Sequence, residues 1–272
     1  MTTKGPKKFE VAFLGYGRMA QAISGGLDKN GVIPFKSQAA YDLLTENLAK
    51  LSAQKGLAAA PSAKELIKVA PVVILAVKPH QVRQALEEVN SAITNQLFVS
   101  IAAGVTLETL ASLLPSSAGL VRVIPNLPAL VGQGLTLICA PPSAPPEHLQ
   151  KVRDIFEAVG SAVVLSESLF NEATAVSGSG PAYFFLVMEA MIRGAVRLGL
   201  TWDLAKELVL KTALGSAQMA LDSQYSLADL RDQVTSPGGT TAEGLLELEK
   251  GALTALFHQA LKAASDKGSK LA

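Results

Sequence analysis

The chain of 272 residues carries little charge: 17% of it is Asp, Glu, Lys or Arg, and the formal net charge is +1. Without a basic surplus, nothing electrostatic points to nucleic acid or an anionic membrane as a partner. The single cysteine, Cys139, excludes a disulfide within the chain and is compatible with a reducing compartment. Three histidines (His80, His148 and His258) and few acidic clusters make no visible metal site, so no metal is expected. No apolar run approaches the ~18 residues that would span a bilayer, and the longest clear one, Val69 to Val77, has strand length. Basic residues precede an apolar run at the N-terminus, but that run is too short for a signal-peptide core and no cleavage pattern follows it. A cytoplasmic protein is the expectation.

What the chain does have is aliphatic residues. Hydrophobic types make up 49% of it, and the length suggests two domains. From Phe9 to about Leu165, β-rich runs alternate with helical patterns. Strands are predicted at 9–14, 38–41, 72–77, 97–101, 120–124, 135–140 and 162–165, with helices at 19–30 and 43–55. Ser62 and Glu65 form an S-x-x-E capping box opening a further helix to about Ala70. The unbroken apolar run Val72 to Val77 reads as a central parallel strand buried on both faces. This alternation predicts a doubly wound α/β sheet over residues 1–166. After Ser166 the strand pattern stops, and residues 167–272 read as all helical. One long helix is predicted from Leu169 to Leu198, interrupted at Ser177–Pro181, where Pro181 leaves the Ser177 carbonyl without its helical donor. Further helices are predicted at 202–221, 227–234, 241–250 and 253–265. The low charge of these helices suggests surface buried between subunits.

Within the helical half, Leu230 to Leu246 reads LRDQVTSPGGTTAEGLL. Pro237 stops the incoming helix, and Gly238 and Gly239 let the backbone turn and approach a ligand closely. Thr240 and Glu243 fit a capping box, so a helix is expected to start there. Hydroxyls, free amides and a helix N-terminus suit a small anion, most naturally a carboxylate. The alternative is a plain helix–turn–helix corner.

At the other end, Gly15-Tyr16-Gly17-Arg18-Met19-Ala20 follows the first strand and opens a helix, matching the G-x-G-x-x-A dinucleotide fingerprint. Gly15 permits the tight turn, Gly17 lets a pyrophosphate approach, and Ala20 permits close helix–strand packing. Tyr41-Asp42 ends the second strand, where an acidic residue contacts a ribose 2′-hydroxyl and favours NAD. Against that, Arg18 and Lys36 are available for a 2′-phosphate, and Asp42 has the simpler reading of a helix cap, so both cofactors stay open. Ala76-Val77-Lys78-Pro79 and Ala102-Ala103-Gly104 each follow a strand at the carboxyl edge, where such sheets bind ligands. Asn126, in Pro125-Asn126-Leu127-Pro128, either presents its amide to the cofactor or holds the turn.

The segments FLGYGRMA, AVKPH, SIAAGVTLE, RVIPNLPALV, SGSGPAY and LRDQVTSPGGTTAEGL together resemble the pyrroline-5-carboxylate reductase family, in family order from Phe9 to about Phe257. The resemblance implies a Rossmann domain, a helical dimerisation domain, and reduction of the cyclic imine of pyrroline-5-carboxylate by NADH or NADPH. It implies that Ser236, Gly239, Thr240 and Thr241 hold the substrate carboxylate and ring nitrogen. Asp232 and Gln233 match family positions lining the site where two subunits meet, Asp232 beside the substrate and Gln233 beside the cofactor. A homodimer follows, extended in the family to a decamer of five dimers. Two positions depart from the family: Ile124 and Leu127 replace residues of its M-P-N-T-P motif, and Tyr41-Asp42 replaces the small or hydroxylated residues of NADP-preferring members. Thr241 is expected to donate to the ring nitrogen, since no His or carboxylate in the motifs is an obvious general acid. Glu167, taken as a substrate contact, and Glu172 are further candidates. A hydroxyacid reductase of the same plan would want a helix lysine within 177–182, which is lacking, and a non-catalytic nucleotide sensor would not need the hydroxyl-rich turn.

Overall fold

The computed structural model describes residues 8–270. The chain divides into two compact units: one ends at Gly178 and includes the C-terminal stretch from Ala264, and the other is Ser179–Ala263.

The first unit is built on one sheet of eight strands: β1 (Val11–Leu14), β2 (Gln38–Tyr41), β3 (Ala58–Ala59), β4 (Val72–Leu75), β5 (Leu97–Ser100), β6 (Gly119–Pro125), β7 (Gly134–Cys139) and β8 (Gly160–Val164). Their order is β3-β2-β1-β4-β5-β6-β7-β8. Pairing is parallel throughout except between β6 and β7. The chain therefore winds outward from the centre in both directions, and the order reverses between β1 and β4. That switch point is where ligands bind in doubly wound sheets. Every residue of β1, β4 and β5 is buried, as continuous apolar runs require when helices cover both faces.

Those helices are α1 (Arg18–Lys29), α2 (Thr45–Lys55), α3 (Ala63–Val69), α4 (Val82–Val89), α5 (Leu107–Leu113), α6 (Pro146–Glu157) and α7 (Phe170–Ser177). One apolar layer joins Ile23, Leu27, Val152 and Phe156 to one face of the sheet; another joins Leu66, Leu86, Leu110 and Phe170 to the opposite face. The sequence patterns did not place β3, α4, α5 or α6. β3 has only two residues, and the helices show their pattern only at a few positions, such as Val82, Leu86 and Val89 of α4.

The border between the units falls later than the change of pattern at Ser166. Although helical, α7 buries Phe170 and Ala175 to within 1% and 3% exposure, Phe170 within the sheet's apolar layer. Its start is tied down by Glu167, whose carboxylate accepts from Arg122 Nη1 at 2.6 Å and from the backbone N–H of Leu107 at 2.8 Å. The end of α7 is tied too. The Ser177 carbonyl, at the last residue of α7, accepts from the Asn126 side-chain amide at 3.0 Å.

The second unit holds α8 (Gly180–Arg197), α9 (Trp202–Asp222), α10 (Leu227–Gln233), α11 (Thr240–Lys250) and most of α12 (Leu253–Ser269). The predicted interruption becomes a full break, with α7 and α8 separated at Gly178 and Ser179 and Pro181 in the first turn of α8, where it displaces no helical bond. The core of this unit is small, formed by Ile192, Ala205 and Val209. Phe184, Phe185, Leu186, Leu208, Leu214 and Leu221 remain exposed. By length and composition, the helical stretch 167–197 also passes as long and apolar enough to cross a bilayer. The break at Gly178 and Ser179 divides that stretch, and no uninterrupted apolar run within it approaches the ~18 residues of a span.

Candidate active site

At the switch point, the loop after β1 has the geometry that a dinucleotide pyrophosphate needs. Gly15 adopts φ 92°, and a Cβ there would lie 2.8 Å from the carbonyl carbon of Ala76. Only glycine fits between the first and fourth strands at this level. The Gly15 N–H is bound to the Tyr41 carbonyl at 2.8 Å, which joins the loop to β2. Gly17 is the N-cap of α1, has no side-chain cap and would meet nothing within 4 Å of an added Cβ. The first amides of α1 thus open toward free space with the positive end of the helix dipole behind them, which suits a phosphate. Beside the loop lies a cavity of about 400 Å³ lined by Gly15, Gly17, Asp42, Val77 and Lys78. A nicotinamide dinucleotide fits this setting.

Several expected contacts are changed by the geometry. The Tyr16 side chain is only 4% exposed; its hydroxyl donates to Ser24 Oγ at 2.7 Å, and burial holds its pKa above the ordinary tyrosine value. Met19 packs on the same apolar layer. The side chains of both residues therefore face the protein, while the Met19 amide stays in the open first turn of α1. Lys36 stands in a short 3-10 turn ahead of β2, at the strand's amino end. It is removed from the ligand edge by four residues of strand, roughly 13 Å at ~3.3 Å each, and cannot serve a 2′-phosphate there.

Asp42 is not the cap of α2, whose N-cap is Leu44. Its Oδ1 accepts from the Leu44 N–H at 2.9 Å and its Oδ2 from the Tyr16 N–H at 2.6 Å. Lys78, Pro79 and Ala103 are exposed, Ala76, Val77 and Gly104 half-buried, and Ala102 buried. Lys78 is held at its backbone, whose N–H donates to Gln81 at 3.2 Å. Asn126 uses both ends of its carboxamide inside the protein, accepting from the Leu135 N–H at 2.9 Å and donating to Ser177. It fills the turn-holding role and not the cofactor-facing one. Glu167 Oε1 accepts from both Arg122 and the Leu107 N–H, and Glu172 accepts from Ser265 Oγ at 3.4 Å. Cys139 is buried near that ion pair; burial first, then the Glu167 charge, push its thiol up to about 12, with Arg122 opposing.

In the second unit the TSPGGTT turn forms the start of α11. Gly238 has φ 66°, and a Cβ on Gly239 would overlap the Ser236 hydroxyl. The expected capping box does not form. Gly239 is the N-cap, Thr240 is already the first helical residue, and no side chain caps this end. Once Thr240 has entered the helix its hydroxyl no longer reaches back to the N3 amide. The amides of Thr240, Thr241 and Ala242 are left without a side-chain partner, beside the hydroxyl of Ser236. Thr235 faces backward, donating to the Arg231 carbonyl at 2.7 Å. Asp232 and Gln233 are exposed near the end of α10, where they line a shallow surface hollow with Tyr225 and Asp229. The sequence pattern missed the role of Arg122 and the cavity-lining residues Leu43, Leu44, Gln84 and Glu88. The last two sit on α4, which was not recognised.

Residues 167–271 match the family model for pyrroline-5-carboxylate reductase dimerisation, and residues 10–104 match that for NADP oxidoreductase, coenzyme F420-dependent. Among curated relatives, the pyrroline-5-carboxylate reductase of Pseudomonas aeruginosa is 40% identical over 264 residues, covering 96% of each chain. The solved structure of the Coxiella burnetii enzyme of that name superposes with a TM-score of 0.91 at 36% identity, covering 98% of this chain and 99% of that one. The Plasmodium falciparum pyrroline carboxylate reductase, solved with NADP bound, gives a TM-score of 0.88 at 31% identity with the same coverage.

Proposed function

The chain belongs to the pyrroline-5-carboxylate reductase family, and from that premise we propose that it reduces the cyclic imine of 1-pyrroline-5-carboxylate to L-proline. The observation that carries this reading is the pair of uncapped helix starts, α1 behind Gly15 and Gly17 and α11 behind Ser236–Gly239. One suits a pyrophosphate and the other a small carboxylate. The reduced nicotinamide supplies the hydride to the imine carbon. The Thr240 and Thr241 amides and the Ser236 hydroxyl hold the substrate carboxylate, with Gly239 allowing its close approach. The Thr241 hydroxyl donates to the ring nitrogen, and the nitrogen's proton comes from solvent or is already present on the iminium. Since this chain offers no obvious acid at the turn, its contribution is orientation and electrostatic preorganisation. Asp232 and Gln233 belong to the same site in this reading.

Two copies pair through the exposed apolar faces of α8 and α9, in keeping with the dimerisation model that matches this region. Further assembly of dimers into a decamer rests on the family resemblance, as does a cytoplasmic location. The deciding experiment is proline-dependent reduction of NAD and NADP at high pH, run in parallel, with 2-keto acids tested in the forward direction. Proline oxidation without 2-keto acid turnover is the expected result. Comparable turnover of a 2-keto acid would replace this reading with that of a hydroxyacid dehydrogenase.

A further inference from the structure

The family premise leaves the adenosine end of the cofactor unspecified, and this chain departs from its family there. Asp42 stands at the carboxyl end of β2, beside β1 and its glycine loop. Its two oxygens accept from backbone amides on both sides, Tyr16 at 2.6 Å and Leu44 at 2.9 Å. The carboxylate is thereby held in one orientation, while each oxygen keeps a second lone pair for a further donor. A carboxylate held in this way lines the cavity. A ribose with free 2′- and 3′-hydroxyls provides the donors that such an acceptor wants. A 2′-phosphate provides none and adds a charge of about −1.5 to −2 at the same spot.

The surroundings do not offset that charge. The two positions after Asp42, from which a side chain reaches the same opening, hold Leu43 and Leu44, and both are exposed and line the cavity. Glu88 adds a second carboxylate to the lining, and the cation among the lining residues is Lys78, which follows β4 on the far side of β1 from Asp42. Lys36 lies at the wrong end of β2. Arg18, the first residue of α1, adjoins the pyrophosphate position, where both cofactors carry the same groups.

We propose that Asp42, fixed by Tyr16 and Leu44 and followed by two leucines, selects the unphosphorylated adenosine ribose, so that this chain uses NADH in preference to NADPH. The inference rests on the reductase reading only for the class of cofactor. It sets this protein apart from the relative solved with NADP bound.

The test is direct binding of NADH and NADPH to the whole protein, without imine, by titration calorimetry. The wild type should bind NADH at least about tenfold more tightly, since like-charge juxtaposition in a binding site is strongly unfavourable. Asp42→Asn keeps the shape and an acceptor oxygen but removes the charge, and should bring the two dissociation constants to within about threefold. Leu44→Arg, at an exposed position, should strengthen NADPH and leave NADH nearly unchanged. Arg18→Ala should weaken both ligands alike. The inference is overturned if the wild type binds NADPH as tightly as NADH, if Asp42→Asn leaves the ratio unaltered, or if Arg18→Ala weakens NADPH alone. Selective NADH binding by a protein that does not reduce pyrroline-5-carboxylate would leave the inference standing and remove the substrate assignment. Failure to bind either dinucleotide would overturn both.

Discussion

Glu167→Ala should damage stability far more than it damages substrate recognition. The Arg122 side chain is 3% exposed, and Glu167 Oε1 is 2.6 Å from its Nη1. The guanidinium stacks over the Phe170 ring at 4.8 Å, and its buried Nε has no hydrogen-bond partner. Deleting the carboxylate leaves a desolvated cation without its counter-charge, a change that costs about 3–5 kcal/mol where the pair is fully buried. The Glu167 side chain is 32% exposed, so water enters the vacated space and recovers part of that loss. The lost bond to the Leu107 amide at 2.8 Å acts in the opposite direction, about 1.5–3 kcal/mol for a charge-assisted bond but shared with the first term. A net loss of roughly 2–4 kcal/mol follows, about 4–16 °C in Tm at ~2–4 °C per kcal/mol for a chain of this size class. The measurement is urea unfolding at fixed protein concentration, so that dimer dissociation does not vary between samples. Arg122→Met alongside Glu167→Ala removes the orphaned cation and should restore part of the loss, because a buried pair replaced by apolar groups is often tolerated. A loss below about 1 kcal/mol for Glu167→Ala would class the pair with exposed ion pairs. A variant of full stability with a raised KM for the imine would return Glu167 to the substrate site.

Three other outcomes are expected. Thr241→Val deletes the hydroxyl assigned to the ring nitrogen and should lower kcat/KM by about 10–10³-fold, the upper range being that of a lost oxyanion donor, with little change in stability because Gly239 is the N-cap; activity within twofold of wild type moves the donor role elsewhere. Leu186→Asp with Leu214→Asp introduces charge on the exposed apolar faces of α8 and α9 and should yield monomers in sedimentation, whereas an intact dimer would refute pairing through these helices. The Cys139 thiol, held near 12 against a usual 9.0, stays protonated in the folded chain while the unfolded thiol ionises; stability is therefore undiminished below pH ~9 and falls as pH rises from there toward 12, a decline that Cys139→Ala should lessen, and rapid alkylation of the native protein at pH 9 would contradict the burial.

The parts of the fold visible in the sequence were those in which one residue pattern had one physical solution. Continuous apolar runs such as Val72 to Leu75 are stable only when covered on both faces, and Pro181 had to disturb the helical run, which the structure breaks outright. Helices with three inward positions, such as α4 with Val82, Leu86 and Val89, were lost among surrounding polar residues. The compact units and the residue pattern divide the chain at different points, because pattern reports local geometry, whereas membership of a compact unit depends on what a helix packs against. Phe170 decides that for α7, and its destination in the apolar layer of the sheet is not written in the helix itself.

The candidate site shows the same division between local and long-range information. Gly15, Gly17 and the SPGG turn were legible because a backbone that must adopt φ 92° or approach a neighbouring strand admits few residues. Side-chain roles were harder, since Asn126, Glu167 and Asp42 each have partners far away along the chain: Ser177, Arg122 and Tyr16. For Asn126 and Glu167 the partners tie the group to the protein, Asn126 through one donor and one acceptor and Glu167 through Oε1. For Asp42 the partner also orients the group. A carboxylate bound through one lone pair on each oxygen is oriented without being saturated, so the bond to the Tyr16 amide both steadies the glycine loop and aims a charge at the ribose position. Replacing Asp42 by Ser would weaken the first effect together with the second. The isosteric asparagine removes the charge and keeps one of the two backbone bonds, its NH2 group having to turn away from the other amide, so it disturbs the loop less while testing cofactor choice.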